Sequence, residues 1–353
     1  EYVTALVGHC KGRVTYWEVW NETPNFIGNA TAADYAKTVV ASYDAAKAAD
    51  PACQVGLSIQ SMNVNWIEQV IEAGAKDHFD FIAVHPYETL GLVESDGFEA
   101  EFMSIVPTLR KMLAARNPDR ASVPIWFTEI GAEAKDGETH QAAALVKAFT
   151  MAIAQGVTRV NWFEGMDGDS GPMGLLRADG TPRIAYSAMA NLTRHLGAAP
   201  RYEGWLLLND ADYGFVFAGA EGPVMALWGR PGTTDRVSFG TPVPIVDPLT
   251  GATAEADTYS LTSAPVLVLG VPEKLVEEAR ANATRPFRWR GDGDYAGATS
   301  VWIDMGAPNV ERGLHQVGAD RSSTAVEAYG VAARDCGRGA GQSFTVDPGF
   351  MSY

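Results

Sequence analysis

The sequence predicts an α/β fold built on parallel strands, followed by a smaller antiparallel β unit. Three observations predict it. Short apolar strands alternate with amphipathic helices from residue 1 to about residue 198. Most of those strands are apolar throughout rather than alternating, as strands buried on both faces of a parallel sheet are. After Pro200 the texture changes to β-prone runs separated by Gly, Pro, Asp and Thr, the mark of antiparallel strands and tight turns.

Tyr2, Val3, Leu6 and Val7 recur at helical spacing, so the chain opens in a helix. A first residue that is Glu, set in a helix with no leader, is expected of a piece of a longer protein, any export signal lying upstream. Residues 14–20 read as a strand and 31–49 as a helix, with Thr31 as N-cap, Asp34 three residues on and Pro51 beyond the end. Strands at 55–59, 79–84, 124–128 and 159–163 follow. Helices are expected at 65–75, within 98–116, at 138–155 and at 184–196. Repeated β-then-α units make a parallel sheet, either doubly wound or closed as a (β/α)8 barrel. Five strands are too few to close an eight-stranded barrel, and three further units upstream would complete it.

Beyond residue 200, strands are expected at 205–208, 213–218, 224–228, 236–239 and 264–269, with 244–251 (PIVDPLTG) a turn-rich stretch. A short helix at 273–279 leads into a β-rich region with runs such as 300–303. The expected division is 1–198 for the α/β part, 199–271 for a small β domain and 272–353 for the start of a further β module.

Of 353 residues, 46% are hydrophobic and 20% charged, which excludes disordered, collagen-like and coiled-coil readings. Forty-three acidic against 27 basic residues give a net charge of −16, which repels phosphate backbones and argues against a nucleic-acid partner. No apolar run approaches the ~18 residues of a membrane span. Cys10, Cys53 and Cys336 form neither a disulfide framework nor a zinc-type pair. No HExxH, GxSxG or GxxxxGK run occurs.

The chemistry sits at strand ends. Residues 16–22 read YWEVWNE and stop at Asn21-Glu22; residues 124–131 read PIWFTEIG and stop at Glu129. C-terminal strand ends line the mouth of a parallel barrel. Two carboxyls opposed across that mouth are what glycosidic cleavage requires, one to protonate the leaving oxygen and one to attack or activate water at the anomeric carbon. The bland alternative is a pair of solvated loop carboxylates.

On these motifs, residues 1–198 resemble the second part of a clan A glycoside hydrolase, the (β/α)8 retaining enzymes, nearest in flavour to families 39 and 5. The resemblance implies an incomplete (β/α)8 barrel holding strands four to eight, with the first three β/α units missing. It makes Glu22 the acid/base and Glu129 the nucleophile. The HPY run at 85–87 resembles the clan's His-x-Tyr, so Tyr87 would hydrogen-bond the nucleophile and His85 would lie near the acid/base. Trp162, in NWFEG, resembles the aromatic floor of the −1 sugar site, and Asn21 would donate to a sugar 2-hydroxyl. The motif departs from the clan in one place, since Thr23 separates Asn-Glu from Pro24.

Glu22 must carry a proton near neutrality, and Trp17, Trp20 and the opposed Glu129 are expected to favour that form. Neighbouring strand residues face opposite ways, so Asn21 and Glu22 can share a site only where the strand ends or bulges. Glu164, Asp167 and Asp169 read as a solvated turn before a sugar or Ca²⁺ site, and Glu88 and Glu133 as loop carboxylates. Glu18 is either a buried paired carboxylate or one on the other face. Residues 291–297 (GDGDYAG) lack the helix a nucleotide fingerprint needs.

The resulting expectation is a retaining glycosidase of β-linked poly- or oligosaccharide, with a carbohydrate substrate and no metal or organic cofactor. It would be secreted or periplasmic by family analogy, and inactive as this chain alone. The alternatives are a carbohydrate-binding protein on a degenerate barrel, or an unrelated α/β hydrolase or metal enzyme.

Overall fold

The structure is a computed structural model and describes residues 1–285 and 287. It holds a five-stranded parallel sheet and a separate six-stranded antiparallel sheet. Helix α1 (Tyr2–Cys10) leads to strand β1 (Tyr16–Thr23), helix α2 (Ala32–Ala49), β2 (Gln54–Gln60) and α3 (Val64–Val70). Next come β3 (Phe81–His85), α4 (Tyr87–Asp96), α5 (Glu99–Phe102), α6 (Ile105–Arg116), β4 (Ile125–Ile130), α7 (Glu138–Ala154), β5 (Val160–Trp162) and α8 (Ile184–Leu196). The parallel strands lie in chain order, β1-β2-β3-β4-β5, as successive right-handed β/α units place them.

Local chemistry accounts for the helix ends. Thr31 caps α2 in a full capping box, its hydroxyl accepting from the Asp34 amide while Asp34 accepts from the Thr31 amide. The helix expected within 98–116 is two, α5 and α6, and α4 precedes them, closed by Gly97 in the left-handed region (φ 72°). Beyond α3 one wide turn, Ile71–Ala75, carries the chain to Gly74.

The outer face of the parallel sheet presents Val55, Leu57, Ile59, Ile82, Val84 and Phe127, all but solvent-free, to the helices. The inner face is open among the described residues. It carries a small cluster of Phe81, Ala83 and Trp126, with Tyr16 edge-on to Trp126 (centroids 5.0 Å) and still 42% exposed. The Arg159 guanidinium lies 4.1 Å from the Tyr16 ring centroid. Gly56 is required here, because a Cβ would fall 2.2 Å from the Phe81 ring.

The second sheet comprises β6 (Arg201–Leu208), β7 (Asp212–Gly219), β8 (Gly222–Trp228), β9 (Arg236–Val246), β10 (Thr253–Ser260) and β11 (Val266–Leu269), in the order β10-β9-β11-β8-β7-β6. Pro244–Val246, expected in a turn, ends β9 instead, and β10 is a strand the sequence reading lacks. One face joins the main core through Phe215, Phe217 and Trp228. The other packs Leu206, Val216, Met225 and Leu227 against Val276 and Ala279 of helix α9 (Glu273–Ala283). Gly204 lets α9 close on β6, since a Cβ there would lie 1.8 Å from the Ala279 carbonyl oxygen.

Buried polar contacts tie the antiparallel sheet to helices α4, α5 and α7. The Trp228 indole N–H donates to Glu99 Oε1 (2.8 Å). The ammonium of Lys147, 1% exposed, lies 2.8 Å from Glu94 Oε1 and 5.8 Å from the Trp228 ring centroid. The β-rich runs expected beyond residue 287, the 291–297 stretch and Cys336 lie outside the described residues.

Candidate active site

At its C-terminal end β1 leaves regular pairing, its register with β2 shifting between Val19 and Thr23. Trp20 (φ 71°) and Glu22 (φ 46°) both adopt left-handed backbone, a conformation that costs a non-glycine residue about 1–3 kcal/mol and persists only where surroundings enforce it. Here they do. The Tyr35 hydroxyl donates to the Val19 carbonyl (2.6 Å), the Glu22 amide donates to Ser58 Oγ (3.0 Å), and the Thr23 hydroxyl donates to the Ser58 carbonyl (2.6 Å). The Trp66 indole N–H then donates to Thr23 Oγ1 (3.0 Å).

This irregular end aims Glu22 at His85, the last residue of β3. His85 Nδ1 lies 2.8 Å from Glu22 Oε1 and 3.7 Å from Glu129 Oε2. His85 is 2% exposed, whereas the carboxylates keep 19% and 30% of their side-chain surface in solvent, so the pair is reachable and its histidine is not. The Tyr87 hydroxyl, from the first residue of α4, donates to Glu129 Oε2 (3.0 Å). Desolvation first, then the Glu129 charge, holds the Tyr87 hydroxyl well above the usual tyrosine range, so it stays a donor. On its far side His85 Nε2 meets Thr128 Oγ1 (3.0 Å).

The structure thus brings together Glu22, His85, Tyr87 and Glu129 from three strand ends. Asn21 is exposed beside them. Trp162 is half-buried: its ring packs against the main core and its indole N–H donates to the Met173 carbonyl (3.3 Å). The aromatic beside Tyr87 is its neighbour Phe163, edge-on with centroids 6.4 Å apart. Trp17 packs toward the main core and Trp20 is 56% exposed.

Other acidic residues serve the framework. Asp167 accepts from the Gly174 amide (2.8 Å) and pairs with Arg183 (2.6 Å). Glu164 accepts from the Gly168 amide (2.9 Å), and Glu88 accepts from the Ser61 hydroxyl (2.8 Å). Glu133 pairs with Lys135 (2.7 Å).

Glu22, His85 and Glu129 each offer a ligand atom within 4.8 Å of the others, a spacing compatible with a divalent cation. In this structure those atoms are engaged with one another and with Tyr87. Two solvent-reachable carboxyls this close, one backed by an imidazole and one by a phenol, can divide acid and nucleophile roles.

The family model described as glycosyl hydrolase catalytic core matches residues 20–188. Among solved structures, the chain is similar to a family 39 glycoside hydrolase from the gut symbiont Bacteroides cellulosilyticus WH2, at 22% identity and TM-score 0.61, over 75% of this chain and 60% of that one. It is also similar to an α-L-arabinofuranosidase from Thermotoga maritima, solved with arabinose, at 14% identity and TM-score 0.53, over 72% of this chain and 66% of that one. A GH51 α-L-arabinofuranosidase from Thermotoga petrophila RKU-1 shares 13% identity, TM-score 0.51, over the same shares. The chain therefore spans 60% to 66% of the length of these relatives. No curated protein matches it in sequence.

Proposed function

We propose that this chain, which carries a glycosyl hydrolase catalytic core and the fold of clan A glycoside hydrolases, holds the carboxyl pair of a retaining glycosidase acting on β-linked poly- or oligosaccharide. One observation carries the reading. A carboxyl oxygen of Glu22 and one of Glu129 lie within 4.8 Å on either side of one imidazole, the close opposed pair that a glycosidase of the retaining kind needs.

In the first step the Glu129 carboxylate attacks the anomeric carbon. The bond to the leaving oxygen breaks, and that oxygen takes the Glu22 proton. In the second, Glu22 as carboxylate takes a proton from water, whose oxygen displaces Glu129 from the sugar. Tyr87, by occupying Oε2 of Glu129, leaves Oε1 to form the glycosyl ester. Asn21 is assigned to the sugar 2-hydroxyl, and Phe163 shares with Trp162 the candidacy for the sugar floor.

In this reading β1 to β5 are strands four to eight of a (β/α)8 barrel. Three further β/α units would close the inner face, so the isolated chain is expected to be inactive. Action on polymeric sugar makes export part of the proposal.

The test uses the full-length protein on a panel of aryl glycosides, with NMR identifying the first-formed anomer. Retention is expected. Glu129→Gln should abolish turnover while sugar binding persists, and Glu22→Gln should lower it by about 10²–10⁴. Inversion would overturn the nucleophile role. Turnover absent on every sugar, with binding unaffected by Glu129→Gln, would leave a carbohydrate-binding protein.

A further inference from the structure

Behind the carboxyl pair, three hydrogen-bonded contacts run from Glu22 to a third carboxylate. His85 Nδ1 lies 2.8 Å from Glu22 Oε1, His85 Nε2 lies 3.0 Å from Thr128 Oγ1, and the Thr128 hydroxyl donates to Glu18 Oε2 at 3.4 Å. Glu18 stands four residues before Glu22 on β1, on the inner face of the sheet.

The direction of these bonds follows from counting protons. A carboxylate only accepts, so the single hydroxyl proton of Thr128 goes to Glu18. Thr128 Oγ1 can then only accept from the ring, which puts the imidazole proton on Nε2. In the neutral imidazole, which has one proton, Nδ1 is then bare and would accept from Glu22 in its acid form.

We propose that Glu18 is a positioning residue for the acid/base: through Thr128 it holds His85 in the Nε2–H tautomer, and so keeps Glu22 loaded with a proton between turnovers. The link to catalysis rests on the function proposed above; the tautomer does not. Inside the site, Glu129 Oε2, 3.7 Å from Nδ1, favours a proton on that nitrogen, and the bond from Tyr87 to the same oxygen offsets its pull. Glu22 and Glu18 from β1, Thr128 and Glu129 from β4 and Tyr87 from α4 are the polar groups facing this ring or its relay.

Glu18 lies exposed on the open face. Partial desolvation, with the Glu129 charge as a smaller contribution, holds its carboxyl above the usual carboxylate range, against the opposing hydrogen bond from Thr128.

The test reads the side-chain nitrogens of His85 by ¹⁵N NMR in this chain, assigned by their loss in His85→Gln, with the backbone amide spectrum confirming the fold of each variant. At pH about 7 the expected signature is a protonated Nε2 and a bare Nδ1. Thr128→Val, nearly isosteric, and Glu18→Met should each shift the tautomer ratio by about tenfold, the worth of one hydrogen bond. An Nδ1–H tautomer or an imidazolium in the unaltered chain, or a His85 indifferent to both substitutions, overturns the relay.

In the full-length protein, Glu18→Met should move the high-pH limb of kcat/KM to lower pH with KM little changed, because the acid gives up its proton more readily. An unmoved limb overturns the link to Glu22. Normal tautomer behaviour in a protein that turns over no glycoside would instead sink the functional reading and leave the relay standing.

Discussion

The parallel sheet packs helices against one face and leaves the other open among the described residues, whereas the antiparallel sheet is covered on both along β7, β8 and β11. The contrast shows in single residues. Phe217 on β7 is fully buried, while Tyr16 on β1, an aromatic of similar size, is 42% exposed. Trp228 on β8 has no exposure and Trp20 on β1 has 56%. One sheet spends its aromatics on cohesion. The other holds them, with Glu18, Arg159 and Asn161, where solvent reaches. Chemistry belongs on the second kind of surface, because a substrate can reach only what the core has not claimed.

The comparison can be broken or sharpened by substitution. Phe217→Ala should destabilise by about 3–5 kcal/mol, the range for removing a buried ring, read from the urea midpoint at unchanged m-value. Trp228→Phe keeps the apolar bulk but removes the N–H that serves Glu99. Leaving that buried carboxylate short of a donor should cost about 1–3 kcal/mol. Tyr16→Ala should cost less than about 1 kcal/mol, since it removes an exposed cation–π contact with Arg159 and one edge-on ring contact. A Tyr16→Ala loss equal to that of Phe217→Ala, measured in the same denaturant series, would mean that the inner face carries stability after all.

The parts legible in the sequence are those with strong local grammar. Helix α8 spans Ile184–Leu196, the span its apolar spacing implies, and Thr31 and Asp34 form the cap their spacing suggests. Helix α4 escaped notice because Gly91, Ser95 and Asp96 are weak helix formers; Leu90 and Val93, buried three residues apart, hold it by packing. Strand β10, TAEADTYS, is largely exposed and, among the described residues, pairs with β9 alone, so neither propensity nor alternation announces it.

At the site, the two glutamates and the HPY run could be read because strand ends are punctuated. Their supports could not. Tyr35, Ser58 and Trp66 hold the bulged end of β1 from residues 16 to 43 positions away, a relation that exists only once the chain has folded. The same holds for Thr128 and Glu18, 110 residues apart.

A single apolar cluster takes in Val84 of the parallel sheet, Leu145 of α7 and Phe217 of the antiparallel sheet, and the covalent link between the halves is the short stretch 197–200. Cohesion between them therefore does not depend on the peptide chain. A protease that nicked this stretch would leave two polypeptides migrating as one particle in gel filtration, parting only when denaturant dissolved the cluster itself.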